Sequence, residues 1–344
     1  MRENFNLKRV RREVPNPKNN FRFHRGEFGH NYKKKIDLDR YYADTENLIN
    51  QIKISLKLNK RQHVVLGQGA EGLIKDVMLW RSYKNSRKNL LIFDPNYYMY
   101  EHFAKLFGYK IFKLKLGQII PYLINESVII NYLKKNKINL LVLVNPSAPL
   151  EKKINYTSLV KILEYCKKKK IFVILDEVYE NFYYSKSTKL VNKYENLIII
   201  KTFSKMAGYP GLKTGFSISG KEVFNAMDSL RLSVELPSYV TNKSVKILKS
   251  NLIKKNQKII SNSIKWGNKN FRKIKIHSNT RSVIWFTVNL TNNKNRIKIL
   301  KSLSKKNVYV YKNFKDSLKN FISFTSSHLD NLKYIFKIIK NNSK

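Results

Sequence analysis

Short apolar runs recur through the first two-thirds of the chain: "HVVLG" (63–67), "LLIF" (90–93), "YKIFKL" (109–114), "LLVLV" (140–144), "IFVIL" (171–175), "NLIII" (196–200) and "GFSIS" (215–219). Between most of them lie segments with apolar residues three or four apart, such as "GLIKDVMLWRSY" and "TSLVKILEYCKKKK". Near-continuous apolar strands separated by amphipathic helices predict a largely parallel sheet covered on both faces. The expected architecture is an α/β three-layer sandwich around a mostly parallel seven-stranded sheet. From about residue 225 the pattern changes to helices ("VTNKSVKILKSNLIKKNQKIISNSIKWG"), short strands ("SVIWFTV", "NVYVY", "NFISFT") and a last helix. That is the pattern of a smaller α+β domain. The expected division is an N-terminal arm contributing to the small domain (1–40), a large domain (41–225) and a small C-terminal domain (226–344). No Gly/Ser-rich linker or internal repeat interrupts the chain.

Composition refines this picture. With 344 residues, 42% of them hydrophobic, the chain can bury one large core and a lesser one. No stretch approaches the roughly 20 apolar residues needed to cross a bilayer. The opening "MRENFNLKRVRREVPNPKNN" is basic without an apolar core, and Glu3 and Glu13 argue against a transit peptide. A cytoplasmic location is expected. Cys166, the single cysteine, has no internal disulfide partner and reads as an ordinary helix residue. The net charge of +45 has two readings. Many lysines attract polyanions such as nucleic acid or an anionic membrane. Here, however, Lys, Asn and Ile are abundant everywhere, and no zinc-finger, RNA-recognition or helix-turn-helix pattern accompanies the charge. We therefore expect no specific nucleic-acid partner, no membrane and no metal, although an anionic substrate would still benefit from the field.

In open α/β sheets ligands gather beyond the carboxyl ends of the strands. The run "IFVIL" leads into "DEVYENF", leaving Asp176 and Tyr179 at that edge. The run "NLIII" leads into "KTFSKMAGYPGLKTGF", bringing Thr202, Ser204, Lys205 and Lys213 near the same edge. One lysine means little among 68 Lys and Arg residues; a lysine after one strand and an aspartate after the preceding one mean more. Pyridoxal phosphate (PLP) chemistry asks for that combination. A lysine amine must attack the aldehyde from an enclosed pocket that lowers its pKa. A carboxylate must face the pyridine nitrogen to keep it protonated. The phosphate wants hydroxyls, a cation and the N–H groups of a helix N-terminus, which "GQGAEGLIKDVM" supplies. Tyr97, in "DPNYYMY", is available to stack on the ring. Taken singly, Asp176 could equally be a helix cap, Tyr97 and Tyr100 packing residues, and Lys205 a solvated lysine.

The order of a glycine-rich turn, "P-x-aromatic-x-x-Tyr", "NP..P", "DE-x-Y" and "[ST]-x-S-K…G-x-K-x-G" resembles the class I/II, fold type I PLP-dependent aminotransferases. It is most similar to their histidinol-phosphate aminotransferase-like branch. The resemblance implies that Lys205 is the Schiff-base lysine and proton carrier. It implies that Asp176 partners the pyridine nitrogen and that Tyr179 hydrogen-bonds the ring oxygen. Ala70, Glu71, Thr202, Ser204 and Lys213 fall at phosphate-binding positions, and Tyr97 at the stacking position. Tyr41, in "DRYYAD", resembles a tyrosine that reaches the phosphate of the neighbouring subunit, implying a homodimer with shared active sites.

Four positions depart from the pattern. Ala148 stands where these proteins carry an asparagine that bonds the ring oxygen; Asn145 is three residues away and is not assigned that role. Lys213 replaces an arginine, keeping charge but losing bidentate geometry. Phe321 stands where an arginine grips the substrate carboxylate or phosphate, and Tyr311 replaces a second arginine. Loss of such a clamp removes on the order of 2–5 kcal/mol of recognition, which argues against histidinol phosphate and against an α-amino acid held in the usual way. Arg281, Lys312, and Arg25 with His24 and Glu27 beside it, are candidate replacements, although Arg25 and Arg281 could equally be surface or inter-subunit charges. His63 and His328 have no partner pattern and are expected to be structural or exposed. The expected function is a PLP-dependent aminotransferase acting on an amino acid or amine of unknown, phosphorylated or otherwise anionic type. The alternatives are a decarboxylase or lyase of the threonine-phosphate decarboxylase type, and a degenerate relative that only binds.

Overall fold

The computed structural model describes residues 42–84, 86–116, 123–147, 150–183, 185–274, 277–278, 285–290, 295–312, 319–325 and 328–343. All seven apolar runs form strands: β1 (His63–Gln68), β2 (Asn89–Asp94), β3 (Lys110–Lys115), β4 (Leu140–Val144), β5 (Phe172–Asp176), β6 (Leu197–Thr202) and β7 (Thr214–Ser219). They join in one sheet of order β1-β7-β6-β5-β4-β2-β3. Adjacent strands from β3 to β6 pair in parallel, while β7 runs antiparallel to both β6 and β1.

Residues along the central strands alternate between two cores. Leu91, Leu141, Leu143, Val173, Leu175 and Ile199 face one side, where they meet Leu48 and Ile52 of α1 (Thr45–Leu56), Ile129 of α4 (Glu126–Lys135) and Ile162 of α5 (Tyr156–Lys168). Leu90, Ile92, Val142, Ile174, Ile198 and Ile200 face the other, against α2 (Gly69–Lys84), α3 (Tyr98–Leu106) and α6 (Lys221–Ser229). A period of two with both sets apolar is what a doubly covered sheet requires. Full burial of each such side chain stabilises by about 1.5–3 kcal/mol before conformational entropy is deducted. Cys166 lies inside the first core, fully buried.

Helix α7 (Ser238–Lys249) packs on α1, and its Val245, Ile247 and Leu248 belong to the core of the large sheet. Helix α8 (Leu252–Lys273) passes from that core, at Ile253, to a separate one containing Phe271. This second core is formed by a three-stranded antiparallel sheet, order β10-β9-β8, with α9 (Arg296–Lys305) and α10 (Leu329–Asn341). Its strands are β8 (His277–Ser278), β9 (Trp285–Asn289) and β10 (Phe321–Thr325). The run "NVYVY" does not form a regular strand. Val308 and Val310 lean on the second core, but only Tyr311 pairs, exchanging backbone hydrogen bonds of 2.8 Å with Ser323. Tyr309 is 91% exposed, so alternation there reflects an edge segment lying over a core.

The start of α2 fits against β7 only because two glycines meet. A Cβ on Gly215 would lie 2.3 Å from the carbonyl carbon of Gly69 and 2.7 Å from the nitrogen of Ala70. These are backbone atoms and cannot swing aside. We expect Gly215→Ala to destabilise the protein by about 1–3 kcal/mol in urea unfolding. Gly211→Ala, where a Cβ meets nothing within 4 Å, should unfold like the parent.

Candidate active site

Strands β5 and β6 are parallel neighbours, with Asp176 opposite Ile200. Asp176 is therefore the last residue of β5, and the chain leaving β6 turns beside it. That turn is built locally. Thr202 Oγ1 accepts from Ser204 N at 3.1 Å and donates to Thr214 O at 3.0 Å. Gly208 N donates to Lys205 O at 2.9 Å and Tyr209 N to Phe203 O at 2.9 Å. Gly208 sits at φ +85°, a conformation that disfavours side chains, and Asn256 of α8 donates to Ala207 O at 2.8 Å beneath it. The result presents Lys205 on a braced turn, its ammonium 5.8 Å from the centre of the Tyr179 ring.

The electrostatics place Lys205 between two fields. Burial pushes its pKa down, Lys213 pushes it further the same way, and Asp176 opposes both. Asp176 is itself buried, and its pKa is raised from 3.8 to about 6: burial drives the rise and Glu177 adds to it, against the opposing pull of the bonds donated by Tyr100 and the Val178 N–H and of the Lys205 charge. Tyr100 donates to Asp176 Oδ2 at 2.8 Å and Val178 N to Oδ1 at 3.1 Å.

A second corner lies at the start of α2. Gly69 adopts φ +70°, and the position of its missing Cβ is 3.7 Å from the Lys213 carbonyl oxygen and 3.9 Å from Lys213 Cε. Ala70 and Glu71 follow in the first turn, where N–H groups and the helix dipole favour an anion. The Glu71 carboxylate turns away to accept from Tyr97 OH at 3.1 Å, so its offering to an anion is the backbone N–H. Thr202 and Ser204 hydroxyls lie 3.1 Å apart at the end of β6. Tyr97, half-buried, caps α3 and meets Tyr100 edge to face at 6.5 Å.

Several expectations lie elsewhere. Asn145 is committed to its own loop: Oδ1 accepts from Ile154 N at 2.9 Å and Nδ2 donates to Ile154 O at 3.1 Å. Phe321 is 5% exposed and packs with Leu150 and Leu116, an apolar contact where a clamp would need charge. Tyr311 and Lys312 are exposed. His63 is half-buried and stacks at a tilt on Phe224, 4.9 Å away, while His328 is exposed at the start of α10. Tyr41, Arg25, His24, Glu27, Arg281 and Ala148 lie outside the described residues.

Sequence reasoning passed over two features. Tyr100 was open to a reading as packing, whereas its hydroxyl meets Asp176. Glu177, next to Asp176, forms a buried ion pair with Lys201, 1% exposed, at 3.1 Å. Ser185 donates to Glu177 at 2.7 Å, Ser187 donates to it as well, and Lys201 reaches Asn181 O at 3.3 Å. The signal was a lysine closing the apolar run "NLIII", a place where a charge must find a partner.

The sheet order, with a carboxylate and a lysine at adjacent strand ends and a helix N-terminus beyond, is that of a doubly covered α/β fold whose polar groups gather at one edge. The pattern of the family "Aminotransferase class I and II" matches residues 30–321, and the chain belongs to that family, whose cofactor is PLP. The chain is 26% identical over 274 residues to the histidinol-phosphate aminotransferase of Clostridium novyi, covering 77% of this chain and 72% of that protein. It is 26% identical over 201 residues to the one from Caldanaerobacter subterraneus subsp. tengcongensis, covering 58% and 55%. The latter match thus spans little more than half of the relative's length. The structure of the histidinol-phosphate aminotransferase from Clostridium acetobutylicum superposes with a TM-score of 0.77 at 23% identity, covering 87% of this chain and 90% of that one. The L-threonine-O-3-phosphate decarboxylase from Porphyromonas gingivalis gives 0.64 at 16% identity, covering 87% and 89%. These likenesses to solved structures concern the fold.

The donor set fits the family's cofactor. A buried carboxylate stands at one end, a lysine and a helix N-terminus at the other, and a partly desolvated amine between them.

Two outcomes follow from the buried charges. Lys201→Met strands the Glu177 carboxylate and should cost about 3–5 kcal/mol in denaturant unfolding, with Lys201→Arg recovering most of it. The folded-state pKa of Asp176 lies above its unfolded value, so the fold favours the neutral form. Its contribution is full below pH 4 and is lost as pH rises through about 6. Cofactor-free protein should therefore lose about 3 kcal/mol relative to Asp176→Asn between pH 4 and pH 8, read from paired melts.

Proposed function

We propose that this chain is a PLP-dependent aminotransferase whose reacting amine is Lys205. The carrying observation is the meeting of Lys205 with Asp176 and Tyr179 on neighbouring strand ends in a member of this family. When bound, the cofactor supplies an electron-accepting ring that stabilises negative charge on a substrate carbon. The chain's residues do the rest. Lys205 Nζ, its pKa lowered by burial, holds and moves the proton between positions on the substrate and the cofactor. Asp176 would keep a positive charge on the ring nitrogen, and the Tyr179 hydroxyl would serve the ring oxygen. Lys213, Thr202, Ser204 and the first N–H groups of α2, at Ala70 and Glu71, would hold the phosphate. The Tyr97 ring would offer a stacking surface to the cofactor.

The substrate is an amine whose anionic group is held by something other than position 321, because Phe321 is committed to Leu116 and Leu150. Arg25 and Arg281 are the candidates, with Lys312, Tyr311 and the +45 field as further contributors. Two copies share their sites through Tyr41. The protein acts in the cytoplasm on small molecules. The same apparatus would serve a decarboxylase, and the absent clamp is the observation that favours that second reading.

The test uses purified protein loaded with PLP. We expect a visible absorbance band that Lys205→Ala abolishes, with at least ~100-fold loss of turnover. Candidate amines supplied with a 2-oxo acid should yield a keto product. Carbon dioxide without keto product would move the assignment to decarboxylation, and absence of the band in the parent would leave a binding relative.

A further inference from the structure

Asp176 carries out its proposed task from an awkward place. A carboxylate taken out of water reverts to the neutral acid unless fixed donors replace the lost hydration. The backbone supplies one donor, Val178 N to Oδ1 at 3.1 Å. The other comes from a different element, the Tyr100 hydroxyl to Oδ2 at 2.8 Å. Tyr100 is fully buried at the start of α3, in the core with Val142, Val144 and Ile174, so the phenol cannot turn to solvent. A lone phenol in an apolar core is costly, and this one is spent wholly on Asp176.

We propose that Tyr100 is a positioning residue of the site, holding the Asp176 carboxylate ionised and in one orientation through the O–H that it donates to Oδ2. This rests on the reading of Asp176 as the partner of the ring nitrogen. The charges facing Asp176 are Lys205, which favours the ionised form, and Glu177, which opposes it. The Glu177 charge is in turn matched by Lys201, and Lys213 acts on Lys205. Neither lysine substitutes for a directed donor at Oδ2.

The same helical turn serves the opposite end of the site. Tyr97, three residues earlier, donates to Glu71 in the first turn of α2. One turn of chain thus ties the strand end to the phosphate corner, and loss of the Tyr100 hydroxyl breaks one of these two ties without removing a ring from the core.

Tyr100→Phe tests this in two measurements. In cofactor-free protein, the pH at which the Asp176 component of stability is lost, read against Asp176→Asn, should rise by about one pH unit or more. In loaded protein, release of PLP on dilution should become about ten-fold faster. The double variant Tyr100→Phe/Asp176→Asn separates the hydroxyl from packing: an amide oxygen still accepts the phenol proton but carries no charge to hold, so removing the hydroxyl there should move no pH midpoint and should change PLP release by clearly less than about ten-fold. If Tyr100→Phe alone fails to fold while the double variant folds, the hydroxyl is needed because of the Asp176 charge, which supports the proposal. Unchanged pH dependence and PLP release, or an equal effect with and without the Asp176 carboxylate, would overturn it. The cofactor-free melts do not depend on PLP, so a protein without the visible band would refute the functional reading while leaving the Tyr100 result interpretable.

Discussion

A carboxylate at the end of β5 and an amine just beyond β6 sit side by side with little water to share, and much of the surrounding structure answers the cost of that arrangement. Isolated, either charge would revert to its neutral form. Each instead leans on the other, and Asp176 on two fixed donors besides, Tyr100 and the Val178 N–H, while the braced turn at Ser204 and Gly208 fixes where the Lys205 backbone sits. The strands beneath are apolar on both faces, so they have few ways to slide. A register shift in β5 or β6 would exchange the two cores residue for residue. The buried Glu177–Lys201 pair adds a charged pin across the same strands.

Much of this was legible in the sequence because strand ends are legible. Seven apolar runs gave seven strands, and the residues just after two of them brought Asp176, Tyr179, Thr202, Ser204 and Lys205 together. What escaped was anything whose meaning depends on a neighbour distant in the chain. Tyr100 looks like a core aromatic from its helix spacing, and nothing local distinguishes a phenol that meets a carboxylate 76 positions away. Lys201 was hidden among many lysines. The run "NVYVY" shows the converse, since alternation marks which side is buried and is silent on whether a strand is available to pair. The packing of α7 into the large core was likewise unreadable, because its apolar face would suit either core.

The two halves of the site differ in character. The half suited to the cofactor is polar, directed and shared among β5, β6, β7, α2 and α3. The half where a substrate clamp would stand is apolar at Phe321, Leu150 and Leu116. An apolar corner of that kind offers no charge with which to grip an anionic group. Family membership and substrate are therefore separate questions in this protein.

The reversed strand β7 has a consequence of its own. A parallel neighbour would have required a crossover of a dozen residues or more to the far side of the sheet, whereas an antiparallel one starts where β6 stops. Lys205 and Lys213 thus lie on one short return loop, at the same rim of the sheet. The distance between the two positive charges is set by the number of residues in that loop. Insertions or deletions there would detune the electrostatics even if every side chain were kept, so loop length itself is a determinant of the chemistry.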